Sequence, residues 1–162
     1  MRNLAAVGLG SNLGNREANL KIALDKLDQL PQTMVLSTSP FYETEPVDYK
    51  DQAWFINAAV VVETSLEAEI LLQALLNIEN EMLRKRDIPR GPRNIDLDLL
   101  LYADQVFESD QLILPHPEMT KRRFVLEPLC TVAADWIHPL EQKSIAQLLK
   151  DCSDKAVVKL KL

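Results

Sequence analysis

A chain of 162 residues and 18.4 kDa, 47% hydrophobic and 26% charged, has the balance of one soluble domain with its own core, so a single domain over residues 1–162 is expected. No apolar run approaches the roughly 20 residues that a membrane helix needs. Met1 to Gly10 lacks the basic and long apolar regions of an export signal, and Cys130 and Cys152 match no paired-cysteine motif, so a reducing, cytoplasmic setting away from membranes is expected. The formal charge is −6, yet Arg84, Lys85, Arg86, Arg90, Arg93, Lys121, Arg122 and Arg123 put eight of the 18 basic residues into two short segments. That distribution suits a small polyanionic ligand better than a long nucleic acid, which favours a broadly basic surface. Two solvated charge runs are the plainer alternative.

Asn3 to Gly8 reads as a buried strand that is broken by the turn Gly10-Ser-Asn-Leu-Gly-Asn15. From Asn15, a plausible N-cap, Leu20, Ala23, Leu24 and Leu27 recur at helical spacing until Leu30-Pro31. Met34 to Thr44 and Phe55 to Thr64 are rich in β-branched and aromatic residues and predict two strands, joined by the polar loop Glu45 to Trp54. Thr64-Ser-Leu-Glu67 fits a capping box, and Ile70, Leu71, Ala74, Leu75, Ile78 and Met82 predict one apolar face of a helix that ends near Arg86. Ile95 to Tyr102 follows as a strand. The order β-α-β-β-α-β predicts an α+β, ferredoxin-like core: an antiparallel sheet with both helices on one face. C-terminal additions follow: a helix over Val125 to Ala134, a short helix over Ser144 to Lys150 and an edge strand over Val157 to Leu162.

The chemistry concentrates in Arg93-Asn-Ile-Asp-Leu-Asp-Leu-Leu-Leu-Tyr102. Strand alternation puts Asp96, Asp98, Leu100 and Tyr102 on one face and Ile95, Leu97, Leu99 and Leu101 on the other, with the two carboxylates about 6 to 7 Å apart. A strand this apolar is expected near the middle of the sheet, where paired anions are costly without a cation between them. Oxygen-only ligands favour magnesium, which shares its shell with water and substrate phosphates. An exposed strand face carrying solubilising acids is the alternative. The spacing of Gly8, Gly10 and Gly14 is neither a dinucleotide fingerprint nor a Walker A loop, so side chains and metal would have to hold a phosphate. Arg84, Arg86 and Arg93 offer forked donors for that purpose. His116, held between Pro115 and Pro117, is a further donor if it joins them; His138 is given no role.

Gly91-Pro-Arg-Asn-Ile-Asp-Leu-Asp-Leu-Leu resembles the signature of the 6-hydroxymethyl-7,8-dihydropterin pyrophosphokinases of folate biosynthesis. Gly8-Leu-Gly-Ser-Asn-Leu-Gly, Phe41-Tyr-Glu-Thr-Glu-Pro, Phe55-Ile-Asn-Ala-Ala-Val, Pro115-His-Pro and Phe124-Val-Leu-Glu-Pro-Leu appear in that family's order and spacing. The resemblance implies pyrophosphoryl transfer from MgATP to the pterin's hydroxymethyl oxygen with release of AMP, and two magnesium ions on Asp96 and Asp98. It further implies that Arg84 and Arg93 act on the phosphates, that Glu79, Arg86, His116 and Arg122 help hold ATP, and that Leu99 and Ile113 line the adenine pocket. For the pterin it implies a sandwich between Phe55 and Phe124, edge pairing by Asn57, and closure by Thr44 and Val47. Arg90 stands where many members have Trp, Glu45 where Pro is common and Phe55 where Tyr is common.

Without the family, core packing is the first reading of Phe55 and Phe124. Two other classes share the element order. An RNA-recognition module is disfavoured by a first strand without aromatics and by the absence of a basic-glycine-aromatic run in Phe55-Ile-Asn-Ala-Ala. A non-catalytic sensor would give Asp96 and Asp98 no reason to be acidic. The expected partners are thus small molecules, with no nucleic acid or membrane and a monomer or weak homo-oligomer. The loops Glu45 to Trp54 and Arg84 to Pro92, polar and short of apolar anchors, are expected to be ordered by bound ligand.

Overall fold

The elements of the computed structural model, in chain order, are β1 (Asn3–Ser11), α1 (Arg16–Asp28), β2 (Thr33–Thr38), β3 (Tyr42–Thr44), β4 (Phe55–Thr64) and α2 (Ala68–Leu83), then β5 (Asp96–Tyr102), β6 (Phe107–Glu108), β7 (Ile113–Leu114), α3 (Arg123–Ala133), α4 (Ile145–Asp151) and β8 (Val158–Leu160). The structure describes residues 2–47, 51–83 and 94–161. Arg84, Arg86, Arg90 and Arg93 therefore lie outside the described residues, as does the segment 84–92 of the expected ligand-ordered loops.

Six strands form one antiparallel sheet in the order β5, β1, β4, β3, β8, with β2 also on β4, and β6 and β7 pair in a separate two-stranded ladder. β2 and β3 occupy successive stretches of the same edge of β4, so they count as one interrupted strand and the core is ferredoxin-like. The single strand expected over Met34 to Thr44 is broken at Ser39-Pro40, because proline has no N–H for the ladder. Ser39 bridges the gap: its N–H donates to the Ala59 carbonyl (2.8 Å) and its hydroxyl accepts from the Ala59 N–H (2.9 Å).

Both faces are covered, but differently. Leu20, Ala23 and Leu27 of α1 and Leu71, Leu75 and Ile78 of α2 pack with Val7, Leu9, Val60, Val62, Leu97 and Leu99 on one face, as expected. Ile70 is 56% exposed and does not belong to that apolar face. On the other face Leu126, Leu129, Ile145 and Leu148 of α3 and α4 pack with Ala6, Ala59, Leu100 and Leu101. The expected capping box is also absent: Thr64 ends β4, and its hydroxyl accepts from Leu66 N–H (3.0 Å), a local turn ahead of the helix start at Ala68.

Two expectations about β5 change. Among the described residues β1 is its only sheet neighbour, which makes it an edge strand and not a central one. Its outer edge is still protected, because Leu97 N–H donates to Glu79 Oε2 (2.7 Å) and the Leu100 carbonyl accepts from His116 N–H (2.9 Å), which is why an apolar strand is tolerated there. A bulge at Leu100, between the pairs Val7–Leu99 and Ala6–Leu101, also interrupts the alternation. Leu100 and Leu101 both reach the α3 side, while Tyr102 turns to the α1/α2 side and donates its hydroxyl to the Leu66 carbonyl. Asp96 and Asp98 lie before the bulge and keep their common face.

Candidate active site

Asp96 and Asp98 alternate with Leu97 and Leu99, which are buried under α1 and α2, so both carboxylates stand on the opposite face. Across β1 their partners are glycines: Asp96 lies opposite Gly10 and Asp98 opposite Gly8. The next strand places Asn57 opposite Gly10 and Ala59 opposite Gly8. Without side chains at these two positions the Asn57 amide leans over Gly10 and Leu100 packs toward Gly8, leaving a shallow trough between the amide and the carboxylates. At Gly10 the absence of a side chain is required, since a Cβ there would lie 2.6 Å from Asn57 Nδ2.

The far side of the trough is a fixed polar and aromatic wall. Asn57 Oδ1 accepts from the Thr44 hydroxyl (2.5 Å) and Asn57 Nδ2 donates to the Leu9 carbonyl (3.2 Å). Because a carbonyl only accepts, this network sets the amide orientation and leaves one Nδ2 proton and one Oδ1 lone pair for a ligand edge. Phe55 sits two residues before Asn57 on the same face, its ring 3.7 Å from where a Gly10 Cβ would be. Phe124, in the first turn of α3, is half-buried, with the Arg122 guanidinium 5.7 Å from its ring centroid. Neither aromatic is fully buried, as core packing alone would have it. Val47 follows β3 on the loop beyond Thr44 and is half-buried.

Along the outer edge of β5 runs a cleft of about 400 Å³ lined by Glu79, Asp96, Asp98, Leu99, Ile113 and His116, among others. Six residues chosen from sequence thus meet in one space. His116 Nδ1 accepts from Glu118 N–H (3.2 Å), so in the neutral ring the proton sits on Nε2, the nitrogen left to donate to a ligand. Burial pushes the imidazole below its ordinary pKa; Asp98 opposes that shift, Arg122 reinforces it and Glu118 opposes it. Sequence reasoning missed the rest of the outer wall, Ser109 to Leu112, whose signal was a serine placed to cap a tight turn: Ser109 Oγ accepts from Gln111 and Leu112 N–H (3.3 and 3.2 Å). A larger hollow of about 560 Å³ lies at the opposite end of the sheet, among Leu4, Val61, Val132 and Trp136, but the paired carboxylates are in the smaller one, which decides where the chemistry is.

His138 has no ligand-facing role: its Nδ1 accepts from Leu140 and Glu141 N–H (3.2 and 3.0 Å), holding the turn before α4. Cys130 and Cys152 are free thiols on the α3/α4 side.

Two carboxylates without nitrogen or sulfur donors fit a hard cation that completes its shell with water and phosphate oxygens, as magnesium does. Among the described residues no cluster of three or more His, Cys, Asp or Glu side chains is placed to hold a metal ion by itself.

A ferredoxin-like sheet with paired carboxylates at its edge and an amide and an aromatic ring beside them has the parts that a kinase-type transferase needs for a flat polar acceptor. The family model described as 7,8-dihydro-6-hydroxymethylpterin-pyrophosphokinase matches residues 6–134, and the chain belongs to that family. It is 47% identical over 132 residues to the 2-amino-4-hydroxy-6-hydroxymethyldihydropteridine pyrophosphokinase of Bacillus subtilis, covering 82% of this chain and 79% of that one. With the enzyme of that name from Haemophilus influenzae it shares 38% identity over 156 residues, 96% of this chain and 97% of that one. A match at 41% identity to the folic acid synthesis protein fol1 of Schizosaccharomyces pombe covers 90% of this chain but 20% of that protein. A crystal structure of an HPPK-DHPS in complex with substrates superposes with a TM-score of 0.73 at 16% identity, over 92% of this chain and 42% of that one, and supports the fold.

Proposed function

We propose that this chain transfers a pyrophosphoryl group from ATP to the hydroxymethyl oxygen of 6-hydroxymethyl-7,8-dihydropterin, a step of folate biosynthesis. The new bond forms between that oxygen and the β-phosphorus, the bond from the β-phosphorus to the bridging oxygen breaks, the hydroxyl proton is lost and AMP leaves. The observation that carries this reading is the row Asp96, Gly10, Asn57, which sets a carboxylate and a fixed amide on one sheet face across a residue without a side chain.

Asp96 and Asp98 hold the magnesium, with two ions expected for an in-line displacement. Bound there, magnesium neutralises phosphate oxygens and makes the attacking hydroxyl more acidic. Asn57, oriented by Thr44, reads the pterin's polar edge, Phe55 and Phe124 stack on its faces, and Val47 closes the pocket. His116 and Arg122 donate to the triphosphate from the cleft side, joined by Arg84, Arg86 and Arg93. Glu79, Leu99 and Ile113 bound the space for the adenine. Holding alcohol and β-phosphorus in one line is the chief contribution of these side chains. We further propose that residues 1–162 act as one domain, cytoplasmic, on small molecules alone, as a monomer or weak homo-oligomer; among the described residues no helix is long and apolar enough to cross a membrane.

The test is AMP release with ATP, the hydroxymethyl pterin and magnesium, omitting each in turn. AMP should require all three, and equal output without the pterin overturns the reading. Asp96→Asn and Asp98→Asn should each lower turnover by orders of magnitude while circular dichroism stays unchanged.

A further inference from the structure

Residues 152–161, beyond the stretch matched by the family model, run past three walls of the trough. Asp154 Oδ2 accepts from the N–H of Arg123, and the Asp154 carbonyl accepts from Arg123 Nε, both at 3.0 Å. Arg123 opens α3, whose N-cap residue Arg122 makes no side-chain capping bond, so a distant carboxylate supplies that acceptor. Glu45 and Val157 exchange two bonds: Glu45 N–H donates to the Val157 carbonyl (2.9 Å) and Val157 N–H donates to Glu45 Oε1 (3.0 Å). β8 then pairs with β3, placing Val158 opposite Thr44, and Lys159 Nζ lies 5.4 Å from the Trp54 ring centroid. The residues so held, Arg123, Glu45 and Trp54, are each the chain neighbour of a residue assigned to the pterin: Phe124, Thr44 and Phe55.

We infer that the segment Asp154 to Lys159 is a strap that sets the width of the pterin pocket, which makes Asp154 and Glu45 positioning residues for that substrate. The inference rests on the pterin assignment above. A flat ring between two aromatic faces tolerates little play, since a gap of 0.5 to 1 Å on one side forfeits about a quarter to a half of the dispersion contact there. The tail fixes the backbone beside Phe124 through Asp154 and beside Thr44 through Glu45 and β8, and it touches the side chain of Trp54, next to Phe55. None of residues 152–161 lines the cleft of Glu79, Ile113 and His116, so the strap reaches the nucleotide half only through Arg122, the chain neighbour of Arg123, and its Glu45 arm has no such link.

Steady-state kinetics on the full chain separate these effects. Asp154→Ala should raise the KM for the pterin about five- to tenfold with kcat within about twofold, and should raise the KM for ATP, reached only through Arg122, clearly less. The Asp154 carboxylate also accepts from Ala156 N–H (2.9 Å), so Asp154→Asn, with one acceptor oxygen for two N–H groups, should recover only part of the rise in the pterin KM. Glu45→Ala should repeat the split from the other wall, so the test survives if Asp154→Ala fails to fold. A pterin KM unchanged in Glu45→Ala and in folded Asp154→Ala, or the two KM values rising together, overturns the strap. Pterin-dependent AMP release by the wild type tests the function itself, so the two failures are told apart.

Discussion

Gly10 and Gly8 look alike in sequence and differ in what they do. A methyl group at Gly10 would sit 2.6 Å from Asn57 Nδ2, and Asn57 is buried and tied to Thr44 and Leu9, so it must give up one of those bonds. At Gly8 the nearest atom to an added Cβ is Leu100 Cδ1 at 3.4 Å, an ordinary contact. Gly10→Ala should therefore raise the pterin KM about tenfold or more, equivalent to roughly 1.4 kcal/mol of lost binding, and Gly8→Ala should change it less than about threefold, read from the same assay. The need for glycine at position 10 comes from the approach of Asn57 across a strand pair, and pairing register is not local information in a sequence. His138 shows the same limit. Burial holds its pKa below the ordinary histidine value, with Glu141 opposing, and its Nδ1 must stay unprotonated to accept two N–H groups. Since the folded pKa is depressed, the contribution is complete above the unfolded value of about 6.5 and is lost as pH falls through it. His138→Asn, which keeps an acceptor and removes the titration, should flatten the fall in unfolding free energy between pH 7.5 and 5.5 measured by urea; an unchanged slope would assign it to other groups.

At the scale of elements, periodicity was enough to find β1, α1, β4, α2 and β5 and hence the ferredoxin-like order, because long amphipathic or apolar runs carry their own signal. What it missed are single-residue irregularities imposed by a partner strand: the Ser39 break and the Leu100 bulge. The bulge matters to the site because it lies just beyond the two aspartates, leaving their face intact while turning Tyr102 inward to bond the Leu66 carbonyl. Edge placement of β5 was illegible for a related reason: the groups that shield it, Glu79 and His116, are remote in sequence. The Ser39 stitch is a test of how the β2/β3 edge is held. Ser39 is 4% exposed, and Ser39→Ala strands the buried Ala59 N–H without its acceptor. That should cost about 1 to 3 kcal/mol in urea unfolding with an unchanged m-value. A loss under about 0.5 kcal/mol would mean that the edge closes without the hydroxyl.

Across the whole molecule, the two faces of the sheet divide stability from chemistry. The α1/α2 face is closed by Leu20, Leu27, Leu71 and Leu75, all fully buried, whereas on the other face α3 and α4 cover the end near Ala6 and Leu101 and leave the end near Gly10 and Asp96 to the trough. A defect in the first face should therefore lower stability without touching ligand linkage, and a defect at the carboxylates should do the reverse. At about 100 times its Kd a ligand stabilises the folded state by about 2.7 kcal/mol. For a domain of 162 residues, with about 2 to 4 °C of Tm per kcal/mol, that is a rise of about 5 to 10 °C for the wild type with a magnesium-loaded nucleotide analogue. Asp98→Asn is close to isosteric and half-buried at the sheet edge, so its unliganded Tm should stay within about 2 °C of wild type while most of the ligand-induced rise disappears. Leu71→Ala empties a buried site on the other face and should cost about 2 to 5 kcal/mol, yet keep the full rise. Differential scanning fluorimetry with and without magnesium reads all three proteins, and a full rise retained by Asp98→Asn would place the metal-nucleotide anchor elsewhere.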